Sequence, residues 1–127
     1  MIDKVGAIII RDKRMLIVRE EDIDVFFIPG GGRKGNESDE EVLIREMMEE
    51  IGARIKNMKF YREFAAKASR ENDMVTVKAY FCNIGEEPVP SGEIGEIRWI
   101  GRDDYKNINL GNILKIMISA LIEDGYL

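Results

Sequence analysis

The segment from Pro29 to Ala53 constrains the fold more than any other part of this 127-residue chain. It reads PGGGRKGNESDEEVLIREMMEEIGA, and it marks both ends of one helix. Ser38 is a strong N-cap, and Glu41 completes an S-x-x-E capping box. Gly52 supplies the C-terminal stop. Before the helix, the PGGG run is expected to break regular structure. The helix therefore divides the chain, and the elements on either side must pack against it.

Those flanking elements read as strands. KVGAIII (4–10) is apolar and β-branched, RDKR (11–14) is a polar turn, and MLIVRE (15–20) returns as a hairpin partner. A short apolar piece follows at Phe26–Ile28. After the helix, 54–66 and 75–84 read as strands joined by the turn SRENDM. A proline-containing loop over 85–96 leads to a short strand, IRWI (97–100). Leu110, Ile113, Leu114, Met117, Ile118 and Leu121 recur at helical spacing and predict an amphipathic C-terminal helix. The order is strands, helix, strands, helix. It predicts an α/β fold in one domain, 1–127, with a mixed sheet flanked by two helices.

Composition excludes several classes of function. There is no histidine, and Cys82 is the one cysteine. Ser-His and Cys-His catalysis, the usual zinc sites and an internal disulfide are thereby excluded. A formal charge of −5 argues against an electrostatic nucleic-acid binder. No signal peptide and no membrane-length apolar run is present, so a soluble, cytoplasmic protein is expected.

The predicted helix carries an unusual acidic face. On a wheel, Ile44, Met47, Met48 and Ile51 fall on one side, while Glu46, Glu49 and Glu50 share an arc of about 100°. Like charges at i, i+3 and i, i+4 repel, by roughly 0.2–0.5 kcal/mol per pair. The plain reading is a solvated face, offset by Arg45 and Lys34. Three features oppose it. No cation sits at i+4 from these glutamates inside the helix. Clustered hard oxygen donors on a rigid element suit Mg²⁺ or Mn²⁺. A glycine-rich loop with Arg33 and Lys34 precedes the helix, as a phosphate cradle would require. Together these parts predict metal-assisted hydrolysis of a phosphoanhydride, with a glutamate as general base.

The spacing carries a family resemblance. Gly31, five residues, Glu37, seven residues, then Arg45-Glu46-Met47-Met48-Glu49-Glu50-Ile51-Gly52-Ala53 resembles the Nudix box, G-x5-E-x7-R-E-U-x-E-E-x-G-U, with U aliphatic. Ala53 is smaller than the usual last residue, which weakens packing there and touches no catalytic position. The 5–20 hairpin, FFIPGGG and IRWI extend the resemblance to a short MutT-like Nudix domain over essentially the whole chain.

The resemblance implies an α/β/α sandwich and a divalent-metal hydrolase of nucleoside diphosphates linked to another group. It implies metal binding by Glu46, Glu49 and Glu50, with Glu46 a candidate base and Arg45 orienting a catalytic glutamate. Glu37 would brace the box, by pairing with Arg45 or by an outer-shell metal contact, and Gly31, Gly32 and Gly52 would serve backbone geometry. Gly31, Gly32, Arg33 and Lys34 would meet the substrate. Glu93 is the favoured additional acid and Glu96 the alternative. A nucleoside triphosphate is the leading substrate, including oxidised ones such as 8-oxo-dGTP. ADP-ribose and other nucleotide conjugates stay open, and so does a homodimer.

Two other classes are weighed against this one. A non-catalytic nucleotide-sensing domain need not keep the box glutamates, and an acidic interaction helix leaves the glycine loop without a role. Met47 and Met48 are expected in the core, Trp99 and Tyr80 to pack, and Cys82 to be buried. Asn109 and Asn112 are candidates to read a base edge.

Overall fold

The computed structural model describes residues 1–69 and 72–127; the predicted turn at 69–74 falls partly outside them. In order, the elements are β1 (Ile2–Ile8), β2 (Ile10–Arg11), β3 (Arg14–Glu20), β4 (Gly30–Gly32), α1 (Asp39–Ile51), β5 (Ile55–Lys67), β6 (Met74–Ile84), β7 (Ile94–Ile100), a 3₁₀ turn (Tyr105–Asn107) and α2 (Asn112–Glu123). The α/β class, a mixed sheet and the two helices match the sequence reading. The strands, however, divide between two sheets, β4-β1-β6-β5 and β2-β3-β7.

The division occurs at Ile9, where the first apolar run breaks into β1 and β2. β1 pairs in parallel with β6 from Ile2↔Val75 to Ile8↔Phe81. β2 turns through Asp12 and Lys13, both at positive φ (53° and 59°), to pair with β3. Consecutive left-handed residues are the geometry of a tight hairpin turn whose twist matches its strands. The hairpin expected between 4–10 and 15–20 is therefore confined to the short β2.

The glycine run corrects the expectation of a structural break. Gly30–Gly32 is itself a strand, antiparallel to β1, with Val5↔Gly31 as its central pair. At Gly31 the strand passes close to α1: a Cβ there would fall 2.6 Å from the Glu46 carboxyl carbon and would have to displace that side chain. Gly30 adopts φ 147°, a conformation L side chains rarely adopt.

Two apolar clusters lie on opposite faces of the larger sheet. One joins Val5, Ala7 and Ile9 to Leu43, Met47, Ile51 and Ala53. The other joins Ile8, Val77 and Ala79 to Ile113, Leu114, Met117, Ile118 and Leu121 of α2. Ala53 and Cys82 are buried as small core residues.

α1 is rotated from the face predicted on the wheel. Its buried residues are Val42, Leu43, Met47 and Ile51, while Ile44 and Met48 are 48% and 46% exposed. The core face is thus centred on the i+4 row Leu43–Met47–Ile51. The adjacent row is Val42–Glu46–Glu50, so two of the acids border the buried face instead of opposing it.

Candidate active site

The start of α1 is fixed locally. Ser38 Oγ accepts from Glu41 N–H at 3.1 Å and Glu41 Oε1 accepts from Ser38 N–H at 2.9 Å, the predicted capping box. Asp39 is held by Arg33 at 2.8 Å and by the Tyr80 hydroxyl. Gly52 closes the helix at φ 62°.

Arg45 is the hub of the box. Its Nε and Nη2 donate to both oxygens of Glu37, each at 2.8 Å. Its Nη1 donates to Glu46 Oε1 at 2.8 Å, and Nη2 also reaches the Gly32 carbonyl at 2.9 Å. One planar group thereby ties the β4–α1 loop, β4 and a glutamate of α1 together. The Arg45 hydrogen bonds and the Lys34 backbone N–H hold Glu37 at about 2, below its ordinary 4.5. A depressed carboxyl contributes stability above its unfolded value and loses it as pH falls through the folded one. The acid limb of stability between pH 4.5 and about 2 should therefore flatten in Glu37→Gln, read as melting temperature against pH.

Glu46 and Glu50 press on one another beside the core. Burial, then the hydrogen bond and charge of Glu46, push the Glu50 carboxyl well above the usual range. The Gly30 N–H, 3.2 Å from Glu50 Oε1, opposes that shift only in part. Glu49 is half exposed and lies 3.6 Å from Arg45 Nη1.

A cavity of about 700 Å³ opens where the two sheets diverge. Glu46, Glu49, Glu50, Gly30 and Gly31 line it, with Glu20 from the end of β3 and Glu93 from the loop before β7. Ile2, Ile28, Val75, Val77, Ile113 and Leu114 form its aliphatic walls.

The structure brings Glu46, Glu49, Glu50, Glu93 and Gly31 together at this cavity. It does not bring in Gly32, Arg33 or Lys34. Gly32 gives its carbonyl to Arg45, and Arg33 is consumed by the Glu37 carbonyl (2.8 Å) and Asp39. Lys34 is exposed, its backbone N–H bonded to Glu37. Glu96 lies within β7, bound to Arg19 at 2.9 Å and Arg98 at 2.6 Å, and is held below its ordinary value by them.

Sequence reading missed Glu20. Its signal was the alternation of Leu16, Val18 and Glu20, which places the acid on the face of two buried residues. A register shift between Arg19 and Glu20 in the β3–β7 ladder marks the same spot. Asn112 lines the cavity, whereas Asn109 is spent on the Asp24 carbonyl at 2.5 Å.

The donors fit a hard divalent cation: crowded carboxylate oxygens whose mutual repulsion Arg45 and the Gly30 N–H relieve in part. Among the described residues, no three of them already converge as a ligand set. Arg45 occupies Glu46 Oε1, and Glu50 accepts from Gly30.

The NUDIX domain family model matches residues 2–121. The chain belongs to the Nudix family. Membership places this Nudix protein among hydrolases of phosphorus-containing anhydrides, which generally use divalent metals. No curated protein matches its sequence at a significant level. Among solved structures, the Escherichia coli ORF135 protein is 21% identical over 97% of this chain and 89% of its own, with a TM-score of 0.80. A MutT Nudix hydrolase from Burkholderia pseudomallei is 21% identical over 92% and 95%, with a TM-score of 0.80. A UDP-X diphosphatase is 20% identical over 99% and 64%, also at 0.80. At these identities the likeness is one of fold.

Proposed function

We propose that this Nudix protein, as one domain over 1–127, hydrolyses a phosphoanhydride in a nucleoside diphosphate linked to another group. A nucleoside triphosphate, oxidised ones included, is the leading substrate; nucleotide conjugates such as those of a UDP-X diphosphatase are the alternative. The carrying observation is a single cavity whose carboxylates come from α1, β3 and the β7 loop, and whose lining adds Lys4 and Lys67 to a set of aliphatic side chains. Its volume of about 700 Å³ falls in the range of small-molecule sites.

Glu46, Glu49 and Glu50 would hold Mg²⁺ or Mn²⁺. When bound, such an ion offsets phosphate charge and lowers the pKa of a water. Arg45 fixes Glu46 by Oε1 and so orients its carboxylate to accept a proton from the attacking water. Gly30 and Gly31, bare of side chains, let backbone approach the phosphates. Glu93 is the additional acid, and Glu96 is structural. Glu93→Gln should lower turnover about tenfold or more, against less than about twofold for Glu96→Gln. Equal activity of the two variants would overturn that assignment.

The whole reading is tested by a panel of nucleoside triphosphates, ADP-ribose and nucleotide sugars with Mg²⁺ or Mn²⁺, scored by phosphate, pyrophosphate or nucleotide release. Cation-dependent release from at least one member is expected. Binding without hydrolysis across the panel would favour a nucleotide-sensing domain instead.

A further inference from the structure

Tyr80 stands on β6 and packs against the α1 cluster, with the Phe60 ring edge-on to it at 5.3 Å between centroids. Its hydroxyl donates to Asp39, the first residue of α1. The capping box of Ser38 and Glu41 already serves the helix N-terminus, so the Asp39 side chain is not needed as a cap. It turns one oxygen to Tyr80 and the other to Arg33. Burial opposes the Asp39 charge, yet these two donors hold its carboxyl below the ordinary value. Burial and the Asp39 bond push the Tyr80 hydroxyl up to about 12, so it stays a donor at neutral pH.

From Asp39 the bonds run to the site. Arg33 donates to Asp39 and to the Glu37 carbonyl, each at 2.8 Å, and so spans the loop between β4 and α1. The Glu37 carboxylate takes two bonds from Arg45, and Arg45 holds Glu46 Oε1. Tyr80, Asp39 and Arg33 do not line the cavity, but they stand behind an acid that does. Tyr80 is where this chain of bonds meets β6. Without its hydroxyl, Asp39 and Arg33 keep each other but lose that strand as a reference.

A second trio of the same kind lies away from the site. Tyr61 donates to Asp124, which also accepts from Arg62, both at 2.6 Å. That trio fastens the end of α2 to β5, and none of its members lines the cavity. It provides a matched control, in which the same hydroxyl can be removed from the same kind of partner.

We propose that Tyr80 and Asp39 are positioning residues: through Arg33 they hold the 33–37 loop so that Glu37 and Arg45 present the Glu46 carboxylate to the cation. This inference rests on the hydrolase reading for its effect on turnover, while its effect on cation binding needs no substrate.

The test compares wild type, Tyr80→Phe, Arg33→Lys, their double variant and Tyr61→Phe, each assayed well below a cooperative melt. Mn²⁺ affinity is read by loss of the free-ion electron paramagnetic resonance signal. Values of kcat and KM are taken on the nucleotide of the panel that wild type turns over fastest. Tyr80→Phe and Arg33→Lys should each weaken Mn²⁺ binding and lower kcat by about fivefold, short of the 10–100-fold typical of a direct partner of a ligating group, with KM near parent. The double variant should lose no more than the larger single effect, because both changes cut one chain of bonds. Tyr61→Phe should lower the melting temperature as Tyr80→Phe does, yet keep parent kcat and Mn²⁺ affinity. The proposal is overturned if Tyr80→Phe and Arg33→Lys both match wild type, or if Tyr61→Phe loses kcat and affinity to the same extent. Arg33 lies on an exposed loop, so its variant carries the test if Tyr80→Phe fails to fold. Weakened Mn²⁺ binding in a protein that hydrolyses no member of the panel upholds the positioning and removes the hydrolase reading. Turnover that is equal in wild type and both variants does the reverse.

Discussion

Glu50→Gln and Glu49→Gln should each lower cation-dependent turnover by about 10³-fold, the size lost when one preorganised charge-stabilising group is removed. Glu50 depends on a cation because of its setting. It is half-buried, pressed against Glu46, and met by one backbone N–H at 3.2 Å. Such a carboxylate is poorly solvated and repelled by its neighbour, so it gains most from a cation. Glutamine keeps the shape and removes the charge. The fold should therefore survive, with a melting temperature in metal-free buffer equal to or above that of the parent. Glu49 lines the cavity and is more exposed, so its loss should act on turnover alone. Steady-state release of phosphate or pyrophosphate, beside a thermal melt, reads both effects. Parent-like turnover in both variants would remove the metal role from α1.

Arg45→Lys should be the second largest effect, about 10–100-fold in turnover, as for residues that orient metal-binding groups. Lysine conserves the charge but cannot reach Glu37, Glu46 and the Gly32 carbonyl from one plane. Glu46 would lose its anchor, and the loop before α1 its brace. The measurement is kcat together with apparent cation affinity. A variant that loses stability but keeps kcat at parent level would make Arg45 purely structural.

Much of this was legible because local chemistry dictated it. The capping box, the Gly52 stop and the Glu37–Arg45 pair are short-range features, and each stands as read. The apolar period of α2 stands from Ile113 to Leu121, because one face of the helix meets the sheet, whereas Leu110 lies before the helix and bridges to Phe26. What escaped was set by distant packing. PGGG reads as a break from propensity alone, yet β1 offers it a ladder and Gly31 lies close under the Glu46 carboxylate. The wheel put Ile44 and Met48 on the apolar face of α1 with Met47 and Ile51, whereas sheet contact buries Val42 and Leu43 in their place. Arg33 read as a phosphate ligand because loop cations often are, but Asp39 lies within its reach. Glu20 stood far from the box in sequence and joined it only through the divergence of two sheets.

The central claim is that the acids of α1 are arranged for a divalent cation. Equilibrium Mn²⁺ binding, followed by the loss of free-ion electron paramagnetic resonance signal, tests it without any substrate. Wild type should bind Mn²⁺, and Glu46→Gln, Glu49→Gln and Glu50→Gln should each weaken binding by about tenfold or more, with Glu96→Gln unchanged. Equal Mn²⁺ binding by wild type and all three α1 variants would contradict the account.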